Sequence, residues 1–237
     1  MQFIWHLRFK TLERVISTRD KQASVPQRTL VEWQLPLISK LPSELGLLSR
    51  LPDLRLYNNE LTGPIPTEIG QMVRLDGLRL DNNYFSGSLP SELGSLASLT
   101  SLYVSSNEIA GLIPTELGNL VALTLTDDGL CVHNNQLSGP IPTELGQLMS
   151  LAQLALHCHF LTGSLLSELG NMTSLNSLFS SNQLTGSLPL ELGNLDILTS
   201  LMLQENLFTG TFPQEITFYC HCFNVDMLYD ACTYAYG

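Results

Sequence analysis

The 237-residue sequence predicts an α/β solenoid: like coils stacked so that a parallel sheet lines the concave side and short helical turns line the convex side. Three observations predict it. A unit begins at Leu51 and again at Leu75, Leu99, Leu123, Leu151, Leu175 and Leu198, in steps of 24, 24, 24, 28, 24 and 23 residues. A fixed period in this range marks stacked repeats. The start of each unit alternates core and non-core positions, as in Leu78-Arg79-Leu80, which is the period of a strand with one buried face. The second half of each unit carries Gly, Pro, Glu and Gly at fixed offsets, as in Leu61-Thr62-Gly63-Pro64-Ile65-Pro66-Thr67-Glu68-Ile69-Gly70.

A three-residue strand is not stable alone. Each must pair with the next copy, giving a parallel sheet with strands roughly 4.8 Å apart. After the strand comes an asparagine: Asn59, Asn83, Asn107, Asn135, Asn182 and Asn206. An amide side chain donates and accepts, so stacked asparagines can satisfy buried turn groups between coils. The following glycine permits the bend away from the strand. Pro66 suits the first position of a short helical turn, Glu68 sits near its positive end, and Gly70 closes it.

Residues 1–38 stand outside the repeat, residues 39–216 hold it, and residues 217–237 form a degenerate last coil or cap. The opening segment is the most basic, with Arg8, Lys10, Arg14, Arg19, Lys21 and Arg28. Its Leu7, Leu12, Val15 and Ile16 give an incomplete helical stripe, compatible with a short amphipathic helix or with disorder. A 24-residue step back from the first full coil puts Glu32 at the third-leucine position and Leu35 at the asparagine position. The copy at Leu123 has four extra residues, within Leu125 to Gly129, just before its strand. The copy at Leu151 has His159 in place of asparagine and Leu166 in place of proline. The copy at Leu175 is one residue short, so Phe179 or Ser180 must fill an apolar position. In the last coil Cys222, Val225, Met227 and Cys232 take the apolar positions and Asp230 the asparagine position.

The formal net charge is −11. Much of it comes from one convex lane: Glu44, Glu68, Glu92, Glu116, Glu144, Glu168, Glu191 and Glu215. This lane reads as a solubilising face, or alternatively as a docking strip for a basic partner. No basic stripe is present to meet phosphates, which disfavours nucleic acid. No apolar run approaches the roughly 20 residues of a membrane span. The first 21 residues lack the uninterrupted apolar segment of a secretory signal. Five cysteines do not define a disulfide framework.

Outward strand positions form two concave lanes. One holds Arg55, Arg79, Tyr103, Cys131, Ala155 and Met202; the next holds Tyr57, Asp81, Ser105, His133, His157 and Gln204. Aligned side chains on a rigid sheet make a binding surface. Its candidate ligand-binding residues are Arg55, Tyr57, Arg79, Asp81, Tyr103, His133, His157, Met202 and Gln204. Arg55 and Arg79, side by side, could recognise a carboxylate or acidic sugar through paired guanidinium groups. His133 beside His157, with Cys131, Cys158 and His159 near, has no recognised ligand spacing, and no metal is assigned. The stretch Cys220-His221-Cys222 reads as core-filling cysteine rather than a ligand pair. No nucleophile elbow, phosphate loop, zinc-protease helix or kinase motif set occurs, so the chain reads as non-enzymatic and without a cofactor.

The phrasing L-x-G-x-I-P-x-E-L-G-x-L resembles the plant-type leucine-rich repeats of receptor-like kinases, receptor-like proteins and polygalacturonase-inhibiting proteins, over about residues 39–216. The resemblance implies a right-handed curved superhelix with a second short sheet beside the first. It also implies a non-catalytic recognition domain of a cell-surface or extracellular protein, binding a peptide, protein or polysaccharide. Two alternatives come with it: an inhibitor of a secreted glycan-degrading enzyme, and the detached sensor part of a receptor kinase. The family's cysteine-paired cap before the first repeat has no counterpart, since Cys131 is the first cysteine. Asn171-Met172-Thr173 is the one N-glycosylation triplet.

Overall fold

The computed structural model describes residues 30–32, 40–124, 129–179, 181–211 and 213–217. Among these, each coil is a short strand, a turn, a second strand and a 3-10 turn around an apolar core. The first strands form an eight-stranded parallel sheet: Leu30–Glu32, Asp53–Arg55, Gly77–Arg79, Ser101–Tyr103, Leu130–Cys131, Gln153–Ala155, Ser177–Phe179 and Ser200–Met202, in chain order. The pairing aligns like positions, so Leu54, Leu78, Leu102, Leu130, Leu154, Leu178 and Leu201 form one buried row. The chain is a solenoid whose core is a column of leucine rungs.

The second strands make smaller parallel sheets. Five lie together: Thr62–Gly63, Tyr84–Gly87, Glu108–Gly111, Gln136–Gly139 and Phe160–Leu161. Two more, Thr185–Gly186 and Leu207–Phe208, pair separately, with the bridge Ser164↔Thr185 between the groups. The glycine after each of these bends is left-handed, φ +76° at Gly63, as the sequence predicts.

The convex elements are 3-10 turns such as Thr67–Gln71 and Ser91–Ser95, and no α-helix occurs among the described residues. The residue before the turn, Pro66 for example and Leu166 in the Ser167–Asn171 coil, is extended and flanks the turn rather than starting it. Gly70 does not close the turn. It lies inside Thr67–Gln71, and the flanking position after the turn is Met72. A Cβ at Gly70 would stand 2.7 Å from the Glu92 Cβ and meet the Glu92 carbonyl of the next coil. Close approach of neighbouring coils, not a left-handed φ, demands this glycine.

The strand Leu30–Glu32 joins the main sheet with Val31 opposite Leu54 and Glu32 opposite Arg55. That is a 23-residue step, so Glu32 stands in the outward lane and not at the third-leucine position; Leu35 is outside the described residues. Phe179 pairs between Ala155 and Met202, which is also the outward lane. Ser180, the other candidate for the missing apolar position of this copy, lies outside the described residues. The pairing Leu102↔Leu130 keeps register across the long copy, placing its extra residues between Leu123 and Leu130. Residues 125–128, and the last coil proposed for residues after 217, lie outside the described set.

The asparagines bridge coils. Asn107 Nδ2 donates to the carbonyls of Leu80 (3.1 Å), Val104 (3.0 Å) and Ser105 (3.2 Å), and its Oδ1 accepts from the Phe85 N–H at 2.9 Å. Asn83 and Asn135 repeat the pattern. Asn182 bonds the Leu156 carbonyl and the Leu161 N–H, Asn206 the Leu203 carbonyl and the Leu184 N–H, and Asn59 the Leu56 carbonyl of its own coil. His159 interrupts the row. Its side chain is buried, 6% exposed, and neither ring nitrogen makes a hydrogen bond of standard geometry, although the backbone of Val132 and Asn135 lies close.

Candidate functional site

Alternation along each strand sends every second side chain to the outer face of the main sheet, and the register lines these side chains up across coils. Asp53 and Arg55 share that face in one strand. Arg55 Nε and Nη2 donate to Asp53 Oδ1 at 3.2 Å and Oδ2 at 2.9 Å. In the next coil Arg79 Nε and Nη2 donate to Asp81 Oδ1 at 3.2 Å and Oδ2 at 3.3 Å. The bidentate edge of each guanidinium is thus engaged by a carboxylate of its own coil. That occupancy counts against paired recognition of an external carboxylate, because the same donors would have to be released. Two arginines and two aspartates leave this patch without net charge.

The faces of Arg79 are covered as well. Its guanidinium carbon lies 4.6 Å from the Tyr57 ring centroid and 4.5 Å from that of Tyr103. Tyr103 is its register partner in the next strand, and Tyr57 lies in the previous coil. Burial works to lower the Arg79 pKa, but the hydrogen bond and charge of Asp81, helped by both tyrosines, outweigh it and raise the pKa above its ordinary value. The guanidinium stays charged and is held between two rings and a carboxylate. The result is a rigid aromatic and cationic stack spanning three coils. Each such contact contributes about 0.5–1 kcal/mol at a partly exposed site.

Further along, His133 and His157 stack with ring centroids 4.4 Å apart and an interplanar angle of 14°. Burial lowers the His157 pKa and favours its neutral form. Nearly parallel rings direct their nitrogen lone pairs side by side rather than toward one point, which suits a stacked platform better than a shared metal. Cys131 and Ala155 are buried beneath this region, and the side chain of His159 turns into the core. Met202 (38% exposed) and Gln204 lie at the far end of the face, separated from the tyrosine–arginine stack by the histidine pair. The structure therefore gathers Arg55, Tyr57, Arg79, Asp81 and Tyr103 into one patch and His133 with His157 into a second. Sequence reasoning left out Asp53. The signal was present in Asp53-Leu54-Arg55, two opposite charges on one face of one strand.

Three segments, residues 50–72, 74–96 and 98–120, match the family model of the Leucine Rich Repeat. No curated protein matches the sequence. Among solved structures, the plant peptide hormone receptor RGFR1 in complex with RGF2 is 35% identical with a TM-score of 0.73, covering 78% of this chain and 29% of that one. The ectodomain of the Arabidopsis thaliana membrane receptor kinase GASSHO1/SCHENGEN3, in complex with Casparian strip integrity factor 2, is 38% identical with a TM-score of 0.70, covering 75% of this chain and 21% of that one. A plant ice-binding protein is 25% identical with a TM-score of 0.61, covering 81% of this chain and 72% of that one. The chain spans less than a third of those two receptor structures. Leucine rungs, asparagine bridges and one outward sheet face define a stacked-repeat solenoid. Three of its repeats match the Leucine Rich Repeat model, and the solenoid is similar to the ectodomains of plant receptors.

Proposed function

We propose that the chain is a non-catalytic recognition scaffold that binds a peptide, alone or as part of a protein, on the outward face of its main sheet. The observation that carries this reading is the Tyr57–Arg79–Tyr103 stack, fixed in place by Asp81 and rimmed by the Asp53–Arg55 pair. Rigid aromatic groups on a preformed surface bind with little ordering cost. Several similar structures are receptors solved with peptides, among them RGFR1 with RGF2 and HAESA with the peptide hormone IDA. That likeness also supports an extracellular placement. Because the patch is charge-balanced, it suits a ligand segment that is neutral and apolar or aromatic rather than one rich in acid.

Panning the purified chain against a random peptide library tests this, with neutral and acidic oligosaccharides as soluble competitors. Enrichment of an uncharged consensus that oligosaccharides do not displace is the expected result. Displacement by an oligosaccharide would transfer the face to a glycan, and no enrichment would count against ligand recognition altogether.

A second reading comes from the smaller sheets. Thr62, Ser86, Ala110, Ser138, Thr162, Thr185 and Thr209 recur at one repeat position in or beside these strands, small, mostly hydroxylated and at least partly exposed, in a staggered array whose register sets Thr62 opposite Tyr84 and Ser86 opposite Glu108. Such an array suits a periodic surface, and a plant ice-binding protein is among the similar structures. Thermal hysteresis in solutions of the chain, lost on Thr162→Lys, would favour this reading over the first.

A further inference from the structure

The triplet Asn171-Met172-Thr173 ends the 3-10 turn Ser167–Asn171. Asn171 and Thr173 are exposed, while Met172 between them is fully buried and anchors the turn in the core. The Thr173 N–H donates to the Asn171 carbonyl at 2.9 Å, so both side chains leave the same tight turn. The backbones of the 3-10 turns lie beside one another and not beside the main-sheet strands, which the turns meet only through the shared apolar core on the sheet's inner side, so this turn lies away from the outward sheet face.

The repeat supplies internal controls. Asn119 and Asn194 end the equivalent turns Thr115–Asn119 and Leu190–Asn194. Asn119 is followed by Leu120 and Val121, and Asn194 by Leu195 and Asp196. The Val121 N–H makes the same bond to the Asn119 carbonyl at 2.9 Å, both positions are exposed in all three coils, and only at Asn171 does a hydroxyl stand two residues on. An asparagine with a hydroxyl residue at that offset is the acceptor pattern for N-linked glycans, which need an exposed position on the folded protein.

We propose that Asn171 carries an N-linked glycan. The inference rests on the extracellular placement in the reading above, because the transfer takes place in the secretory lumen. The donor is a lipid-pyrophosphate-linked oligosaccharide. Asn171 Nδ2 forms a bond to the anomeric carbon of the first sugar, that carbon's bond to the pyrophosphate oxygen breaks, and Nδ2 loses one proton. The glycan would then cover the edge of this coil next to Gln147 and Asn194, leaving the Tyr57–Arg79–Tyr103 stack open. A binding partner of the whole molecule must therefore approach from another side.

The test uses the full chain recovered from its own source cells, as wild type, Asn171→Gln and Val121→Thr. Intact mass is measured before and after peptide N-glycosidase, with peptide mapping in ¹⁸O-labelled water. The expected result is loss of one glycan from wild type, none from Asn171→Gln, and two from Val121→Thr, which completes the same pattern at Asn119. A glycan at Asn119 in Val121→Thr with none at Asn171 would overturn the site alone. No glycan at either position in any variant would overturn the site together with the secretory placement it rests on.

Discussion

Asn107 shows what one side chain does in this fold. Its amide serves three carbonyls and one N–H from two coils, all partly buried in the turn. Removing it strands the Phe85 N–H and takes one of two donors from each carbonyl, the others being Asn83 Nδ2 on Leu80, Asn135 Nδ2 on Val104 and the Asn82 N–H on Ser105; a buried unsatisfied group costs about 1–3 kcal/mol, and each lost hydrogen bond adds about 0.5–1.5 kcal/mol. Asn107→Ala should lower stability by roughly 2–4 kcal/mol, whereas Glu108→Ala, at an exposed neighbour, should stay within about 0.5 kcal/mol. Parallel urea titrations check this, and equal midpoints would contradict the bridging role. His159 is the converse case. Burial pushes its pKa down to about 4 from an ordinary 6.5. The unfolded chain therefore takes up a proton near pH 6.5 that the folded chain refuses until about pH 4. Stability is complete above pH 6.5, falls between 6.5 and 4, and loses nothing further from this group below 4; the total is on the order of 3 kcal/mol. His159→Asn should remove most of that slope and, by supplying the Oδ1 that the histidine lacks, raise the melting temperature at pH 5. A wild-type pH profile that is flat from 7 to 4, or one unchanged in the variant, would contradict the assignment.

At the scale of elements, strands and turns were legible because leucine spacing records burial directly. Leu54, Leu78 and Leu102 announce themselves by position and lie where the spacing puts them. The role of the E-L-G glycine was not legible. A glycine near the end of a turn looks like a closing residue, and only the stacked coils reveal that a neighbour's backbone occupies the place of its Cβ. At Gly118 a Cβ would stand 2.7 Å from the Glu144 Cβ and against the Glu144 carbonyl. Gly118→Ala should destabilise by about 1–3 kcal/mol, the usual cost of overpacking. Gly111→Ala meets nothing nearer than 3.7 Å and is strained only by its φ of +84°. Comparing the two melting temperatures separates crowding from backbone strain; a Gly118→Ala variant as stable as wild type would refute close approach as the reason for that glycine. The edge register was likewise hidden, because a 23-residue step at Val31 leaves no leucine pattern to count.

Across the whole molecule, the coils are most regular from Leu51 to Leu120. The irregularities cluster beyond, at the long copy, at His159 and at the interval between Leu161 and Thr185, where among the described residues the strand ladder gives way to an isolated bridge and the Gln183 N–H bond to the Leu161 carbonyl. Solenoid stability is a sum of repeats and neighbour contacts, so this stretch is where the stack should open first. The face that carries the proposed function was legible in outline. Lanes followed from alternation, but ion pairing within a strand and ring stacking across coils depend on side-chain reach, which periodicity does not encode. Arg79 is the instance: sequence offers it to a ligand, and structure shows it enclosed by Tyr57, Asp81 and Tyr103. The most direct test of recognition on this face is the Kd of a library-selected peptide for wild type, for Tyr57→Ala/Tyr103→Ala, and for the convex control Glu116→Ala/Glu144→Ala. Loss of a stacked aromatic anchor costs about 2 kcal/mol or more, so the tyrosine variant should bind at least about 10-fold more weakly, with the convex control unchanged. Equal affinity of the tyrosine variant, with binding lost in the convex control, would place recognition on the other side of the solenoid and contradict the account.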